Sequence, residues 1–124
     1  MSTFTFQNIF AWQKAHDFTK LVYSITRHFP EDERFGITSQ FRRAAVSIGA
    51  NIAEGYKKLS KADKLRFMNI SEGSMAECMN YILLSFDLGY INDEEFRLLT
   101  QSIDEVGSLL TAYCNGIINN NAIK

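Results

Sequence analysis

The sequence predicts an all-α fold: an antiparallel, up-down-up-down four-helix bundle that assembles as a homo-oligomer. Three observations carry this. Apolar residues recur at alternating three- and four-residue spacings in four segments. The connections between those segments are short, which suits neighbouring antiparallel helices. One proline and seven glycines in 124 residues leave little punctuation for an all-β chain. The helices are expected at about 10–28, 35–58, 61–88 and 93–118, within one domain spanning 1–124.

The first helix is drawn by Ala11, Ala15, Phe18, Val22, Ile25 and Phe29, one apolar stripe. Phe29-Pro30 ends it, because a residue before proline is pushed out of helical geometry. The second covers Phe35 to Lys58, with a stripe of Ile37, Phe41, Ala44, Ala45, Ile48, Ile52 and Tyr56. Ser60 is placed to cap the third helix, with Asp63 in its first turn. Gly89 supplies a left-handed stop after Leu88. Asn92 and Glu95 stand at capping-box spacing before the fourth helix. There Phe96, Leu99, Ile103, Val106, Leu110, Tyr113 and Ile117 form the most regular stripe in the chain. Asn119 to Lys124 reads as a polar, frayed tail.

The two central helices are apolar on too many sides for a lone bundle. On helix two, Gly49, Ala53 and Val46 widen the stripe and Ala50 lies opposite it. On helix three, Leu65, Met68, Met75, Met79, Ile82 and Phe86 form one stripe. Phe67, Ile70, Ser74, Cys78, Tyr81 and Leu88 form a second, roughly opposite. Such surplus marks an interface. Gly49 costs about 1 kcal/mol in a helix interior, so close helix packing over Ala45, Gly49 and Ala53 is expected.

Composition bounds the function. Hydrophobic residues make up 46% and charged residues 22%, with a net charge of −1. That balance excludes indiscriminate nucleic-acid binding but leaves room for a local basic patch. Cys78 and Cys114 read as two thiols on helices rather than a disulfide or metal pair. Residues 1–10 lack a basic region followed by an apolar run, so no signal peptide is expected, and no apolar run is long enough to span a membrane; a cytoplasmic protein is expected.

No phosphate loop, zincin motif or nucleophile elbow occurs, and no Glu-x-x-His pair suggests a di-metal bundle. No enzymatic activity, cofactor or metal is therefore expected. Glu54, Glu72 and Glu77 are the carboxylates a catalytic reading would need. Structural ion pairs involving Arg42, Arg43, Glu54 and Glu77 are the expectation instead. Lys57, Lys58, Lys61, Lys64 and Arg66 crowd the connection between helices two and three. Most such runs are solvated corners; the functional reading is a set of nucleic-acid phosphate contacts, multiplied by a ring oligomer.

Several segments resemble a known family. They are Trp12-Gln13-Lys14-Ala15, Phe29-Pro30, Gln40 with Arg42-Arg43-Ala44-Ala45, and Ser47-Ile48. Asn51-Ile52-Ala53-Glu54-Gly55, Gly73-Ser74 with Glu77, and Leu88-Gly89-Tyr90 complete the set. In order along nearly the whole chain, they are similar to the four-helix-bundle proteins encoded by intervening sequences in bacterial 23S rRNA genes. That group carries a ribosomal-protein label and includes accessory variability proteins of diversity-generating retroelements. The resemblance implies a ring-like homopentamer and, in the retroelement branch, binding to reverse transcriptase and nucleic acid through basic surfaces. Gly49 departs from the family, which commonly has proline there. The acidic balance departs from the strongly basic retroelement members.

The sequence thus leads to a non-enzymatic, oligomeric scaffold associated with structured RNA or a ribonucleoprotein. The alternative is a scaffold for protein partners, such as a reverse transcriptase, without direct nucleic-acid contact.

Overall fold

The computed structural model describes residues 3–119. The expected tail beyond Asn119 lies outside the described residues. Among those residues there are four α-helices and no strand: α1 (Phe10–Thr26), α2 (Ile37–Tyr56), α3 (Lys61–Asp87) and α4 (Asp93–Asn119). Helices adjacent in sequence pack together, α4 closes back on α1, and the diagonal pairs stay apart. The core lies between the four, built on Phe18, Phe41, Ile48, Ile52, Met68, Leu99, Ile103 and Leu110.

The helix ends have local causes. Phe6, in a 3-10 turn at Thr5–Asn8, sets its ring edge-on to Trp12 at 5.2 Å, just inside α1. The α1 ladder stops at Thr26, two residues before the expected end. His28 and Phe29 tighten into bonds to the Ile25 and Thr26 carbonyls at 3.3 and 3.1 Å. The start of α2 falls at Ile37 rather than Phe35. Glu33 Oε1 accepts the Ile37 amide at 3.2 Å, so a side chain three residues before Gly36 supplies the cap. Ser60 accepts the Asp63 amide at 3.1 Å, as its position predicts. Asn92 and Glu95 form the reciprocal capping box, at 2.8 and 2.9 Å. Gly89 holds the left-handed turn, with φ of 79°.

The stripe of α1 is buried throughout, from Ala11 to Phe29. The middle of the α4 stripe, Leu99 to Leu110, is buried, and its ends, Phe96, Tyr113 and Ile117, pack against the core from partly exposed positions. The expected pair of opposite stripes on α3 needs correction. Its buried set is Phe67, Met68, Ser71, Ser74, Met75, Cys78, Ile82 and Ser85, which draws from both stripes and centres between them. Two of the three serines in that arc turn inward on hydrogen bonds, and Ser85 is buried without one among the described residues. Ser71 donates to the Ile48 carbonyl and Ser74 to Ser47 Oγ, each at 2.8 Å. The surplus apolar residues stay on the flanks: Ile70, Leu84 and Leu88 on the α2 side, Met79 and Leu83 on the other, all exposed.

Close approach occurs where the sequence did not point. A Cβ on Gly49 would meet Trp12 Nε1 at 3.5 Å and Ala15 Cβ at 3.8 Å, which is ordinary packing contact. Gly49 and Ala45 are buried by α1 of the same chain, while Ala53 is half-buried. The tight point is Gly55, where a Cβ would stand 2.5 Å from Met68 Cε, 2.8 Å from Phe67 Cβ and 3.3 Å from the Lys64 carbonyl. The glycine lets the end of α2 seat against the start of α3.

Candidate nucleic-acid interface

The basic corner forms where the C-terminal ends of α2 and α4 meet the start of α3. Each of those C-terminal ends presents carbonyls that lack helical partners, with partial negative charge. Lys64 Nζ donates to the Tyr56 carbonyl at 2.7 Å, and Lys61 Nζ donates to the Ile118 carbonyl at 2.8 Å. Lys58 Nζ lies 5.0 Å and the Arg66 guanidinium 4.7 Å from the Phe67 ring centroid. Arg66 also pairs with Asp63 at 3.6 Å. The corner expected to contact phosphates therefore spends four of its cations on helix ends and an aromatic ring. Lys57 is exposed and has no partner among the described residues.

The expected structural ion pairs do not form. Among the described residues no ion pair includes Arg42, Arg43, Glu54 or Glu77; all five pairs present join other, exposed residues. Arg42 is held by neutral groups instead. Its Nε donates to Thr26 Oγ1 at 2.8 Å, its Nη2 to the Tyr23 carbonyl at 3.4 Å, and its guanidinium lies 4.6 Å from the Tyr23 ring centroid. The Thr26 hydroxyl can accept because it donates back to the Val22 carbonyl at 2.7 Å. Glu54, Glu72 and Glu77 are all exposed, and the structure does not bring them together in either hollow of the surface.

One hollow, of about 650 Å³, is an open groove along α4 bounded by Phe96, Arg97, Asp104 and Glu105. Two of its three charged side chains are already matched: Arg97 forks onto Glu94 at 2.6 and 3.1 Å, and Glu105 pairs with Lys14 at 3.8 Å. The second, of about 360 Å³, lies beside the first turns of α2 and is lined by Tyr23, Arg34, Phe35, Thr38, Ser39, Arg42 and Arg43. Three of its seven lining residues are arginines and none is acidic. Sequence reasoning found Arg42 and Arg43 but assigned them to carboxylates. It missed Tyr23, Arg34 and Phe35, because only the turn at residues 31–36 carries them to the same place. An available signal was Phe35 beside Arg34 ahead of an arginine pair, an apolar ring outside any stripe.

Neither thiol is poised for chemistry. Burial, with Glu77 adding to it, pushes the Cys78 thiol up to about 12. Burial and then Glu72 also raise Cys114. Among the described residues no cluster of three or more His, Cys, Asp or Glu side chains could hold a metal ion. No described helix is long and apolar enough to cross a membrane.

These features define an all-α, four-helix protein. Residues 7–112 match the family model described as 23S rRNA-intervening sequence protein, and the chain belongs to that family. It is also similar to the crystal structure of a protein with unknown function from the S23 ribosomal protein family of Bacteroides thetaiotaomicron VPI-5482. That similarity has a TM-score of 0.75 at 25% identity, covering 84% of this chain and 97% of the other. No curated protein matches the chain.

Proposed function

We propose that this chain is a non-enzymatic, cytoplasmic scaffold that works as a homo-oligomer, with a pentameric ring as its form, in association with RNA or a ribonucleoprotein. Its helices run up-down-up-down. Support for that order comes from contacts that pair residues in opposite chain directions: Trp12 with Gly49 and Thr26 with Arg42 on α1 and α2, Ser74 with Ser47 and Met68 with Gly55 on α3 and α2.

The observation that carries the oligomer is the apolar surface left on α3. Ile70 and Leu84 are each 41% exposed and Leu88 50%, on one flank of one helix. Burying a fully exposed side chain of this type gains roughly 1.5–3 kcal/mol, so about half of that is still to be gained at each of these, and a second copy of the chain provides it. The RNA part draws on the family, on the ribosomal label of the structural relative, and on Arg42 and Arg43, which have no carboxylate partner among the described residues. Light scattering combined with a salt-titrated RNA-binding assay tests the reading. A mass near one 14.2 kDa subunit refutes the oligomer; absence of salt-sensitive binding near physiological ionic strength refutes the RNA association.

A second reading, a scaffold for a protein partner such as a reverse transcriptase, is favoured by the internal use of the basic corner. Capture of one protein partner that survives nuclease treatment distinguishes it.

A further inference from the structure

The hollow beside the start of α2 is built for an anion next to a flat ring. Arg42 is held in place by its bonds to Thr26 and Tyr23, which leave its Nη1 without a bond among the described residues. Arg43 has no partner among the described residues. Arg34 pairs only with Glu31, at 3.7 Å, where the two side chains are 68% and 88% exposed, so solvent screens the pair. Three guanidinium groups without a lining carboxylate repel one another until an anion joins them. The Thr38 hydroxyl in the same wall is shielded from solvent and has no hydrogen-bond partner among the described residues.

The flat ring is the second half of the argument. Phe35 is 84% exposed, belongs to no core stripe, and carries the Arg34 guanidinium 5.3 Å from its ring centroid. An aromatic face beside cations is how proteins hold unpaired nucleobases. At about 360 Å³ the hollow is at the small end of the range for ligand sites, roughly 300–1,000 Å³. That space suits one nucleotide rather than a duplex, whose bases cannot leave the stack to reach Phe35.

We infer that Arg34, Arg42 and Arg43 bind the phosphate of a single-stranded nucleotide unit whose base stacks on Phe35. The site takes the role in RNA contact that the Lys57–Arg66 corner was expected to play. It rests on the RNA-associated reading only for the polymer; a free nucleotide satisfies the same chemistry.

The test uses the full chain, a short fluorescein-labelled oligouridylate, and calorimetry with uridine monophosphate. Variants are Arg34→Ala/Arg43→Ala, Phe35→Ala, and Lys57→Ala/Lys58→Ala as the comparison, each checked for wild-type helicity. Phe35 is so exposed that its truncation leaves the core intact. The arginine variant is expected to weaken oligonucleotide binding at least about tenfold. It should also flatten the log-log salt slope by up to about 0.7, the share of the one phosphate these arginines hold. Phe35→Ala is expected to weaken binding about tenfold with the salt slope unchanged, since stacking releases no counterions. The lysine variant should bind as wild type. Binding of uridine monophosphate alone, lost in the arginine variant, supports the site with a free nucleotide as its ligand and removes the RNA reading. Loss in the lysine variant with binding retained in both pocket variants overturns the site and leaves the RNA reading standing. No binding of either probe to the wild type at low salt overturns both.

Discussion

The Tyr90 hydroxyl donates to Glu33 Oε2 at 2.7 Å, joining the α3–α4 connection to the α1–α2 connection across 57 residues of sequence. The same carboxylate caps α2 through its other oxygen, and the Tyr90 ring packs 5.4 Å from that of Phe29. Gly36 makes room for this: a Cβ there would stand 2.6 Å from Glu33 Oε1. One carboxylate thus sets where α2 begins and ties two connections together at one end of the helices.

The contact has a definite pH window. The Tyr90 hydrogen bond, then the Ile37 amide, hold Glu33 below its ordinary 4.5. A depressed carboxylate contributes stability above its unfolded value, lost as pH falls through the folded one. The Tyr90 phenol is raised above 10.0, chiefly by its bond to Glu33, so its share is present below 10.0 and lost as pH rises through the raised value. Tyr90→Phe keeps the ring contact and removes the bond. Thermal melts should show a lower midpoint than wild type near pH 7, with the gap closing in acid once Glu33 is protonated. A gap that persists undiminished in strong acid would contradict the assignment.

Gly55 should be less tolerant of substitution than Gly49, where the sequence placed the close packing. Gly55→Ala forces Phe67, Met68 or the Lys64 carbonyl to move and should cost about 1–3 kcal/mol by denaturant titration. Gly49→Ala meets only ordinary contacts and gains up to about 1 kcal/mol of helix propensity. Gly49→Leu, reaching into Trp12, should destabilise more than Ser108→Leu on the exposed face of α4. Equal stability of the two alanine variants would show that α2 does not need its glycine at the α3 junction.

Thiol labelling should separate the cysteines. Cys78 is fully buried and raised to about 12, so its reactive thiolate is scarce and out of reach at pH 8. A disulfide reagent should modify Cys114 slowly in the native protein and Cys78 only after denaturation. Native labelling of Cys78 at the faster rate would mean α3 faces another way.

The proposed assembly predicts that charge on the α3 flank disperses it. Ile70→Asp/Leu84→Asp replaces two side chains that are each 41% exposed, so the fold of one subunit should keep its helicity. The mass by light scattering should fall to near 14.2 kDa. An unchanged oligomer would move the interface off this flank.

Much of this architecture was legible in the chain because it rests on local rules. The α1 stripe, the Asn92–Glu95 box, the Ser60 cap and the Gly89 turn each depend on residues within a turn or two of one another. The α3 face was misplaced because Ser71 and Ser85, between the two stripes, count as polar in any periodicity. Ser71 and Ser74 are held in the core by Ile48 and Ser47 of α2, which accept their protons. The candidate site was half legible: Arg42 and Arg43 were singled out, but carboxylates were assumed to receive them.

Four helices, most of their ends and the family could be read from the chain, since periodicity and capping are properties of neighbouring residues. Tertiary structure alone decided what the charges do. Lys61 and Lys64 became caps because the ends of α4 and α2 arrive beside them. Arg34, Arg42 and Arg43 became one cluster because the turn at residues 31–36 folds Phe35 and Arg34 back against the first turns of α2. Charge interactions fall off over a few ångströms of space, and separation along the chain does not report that distance.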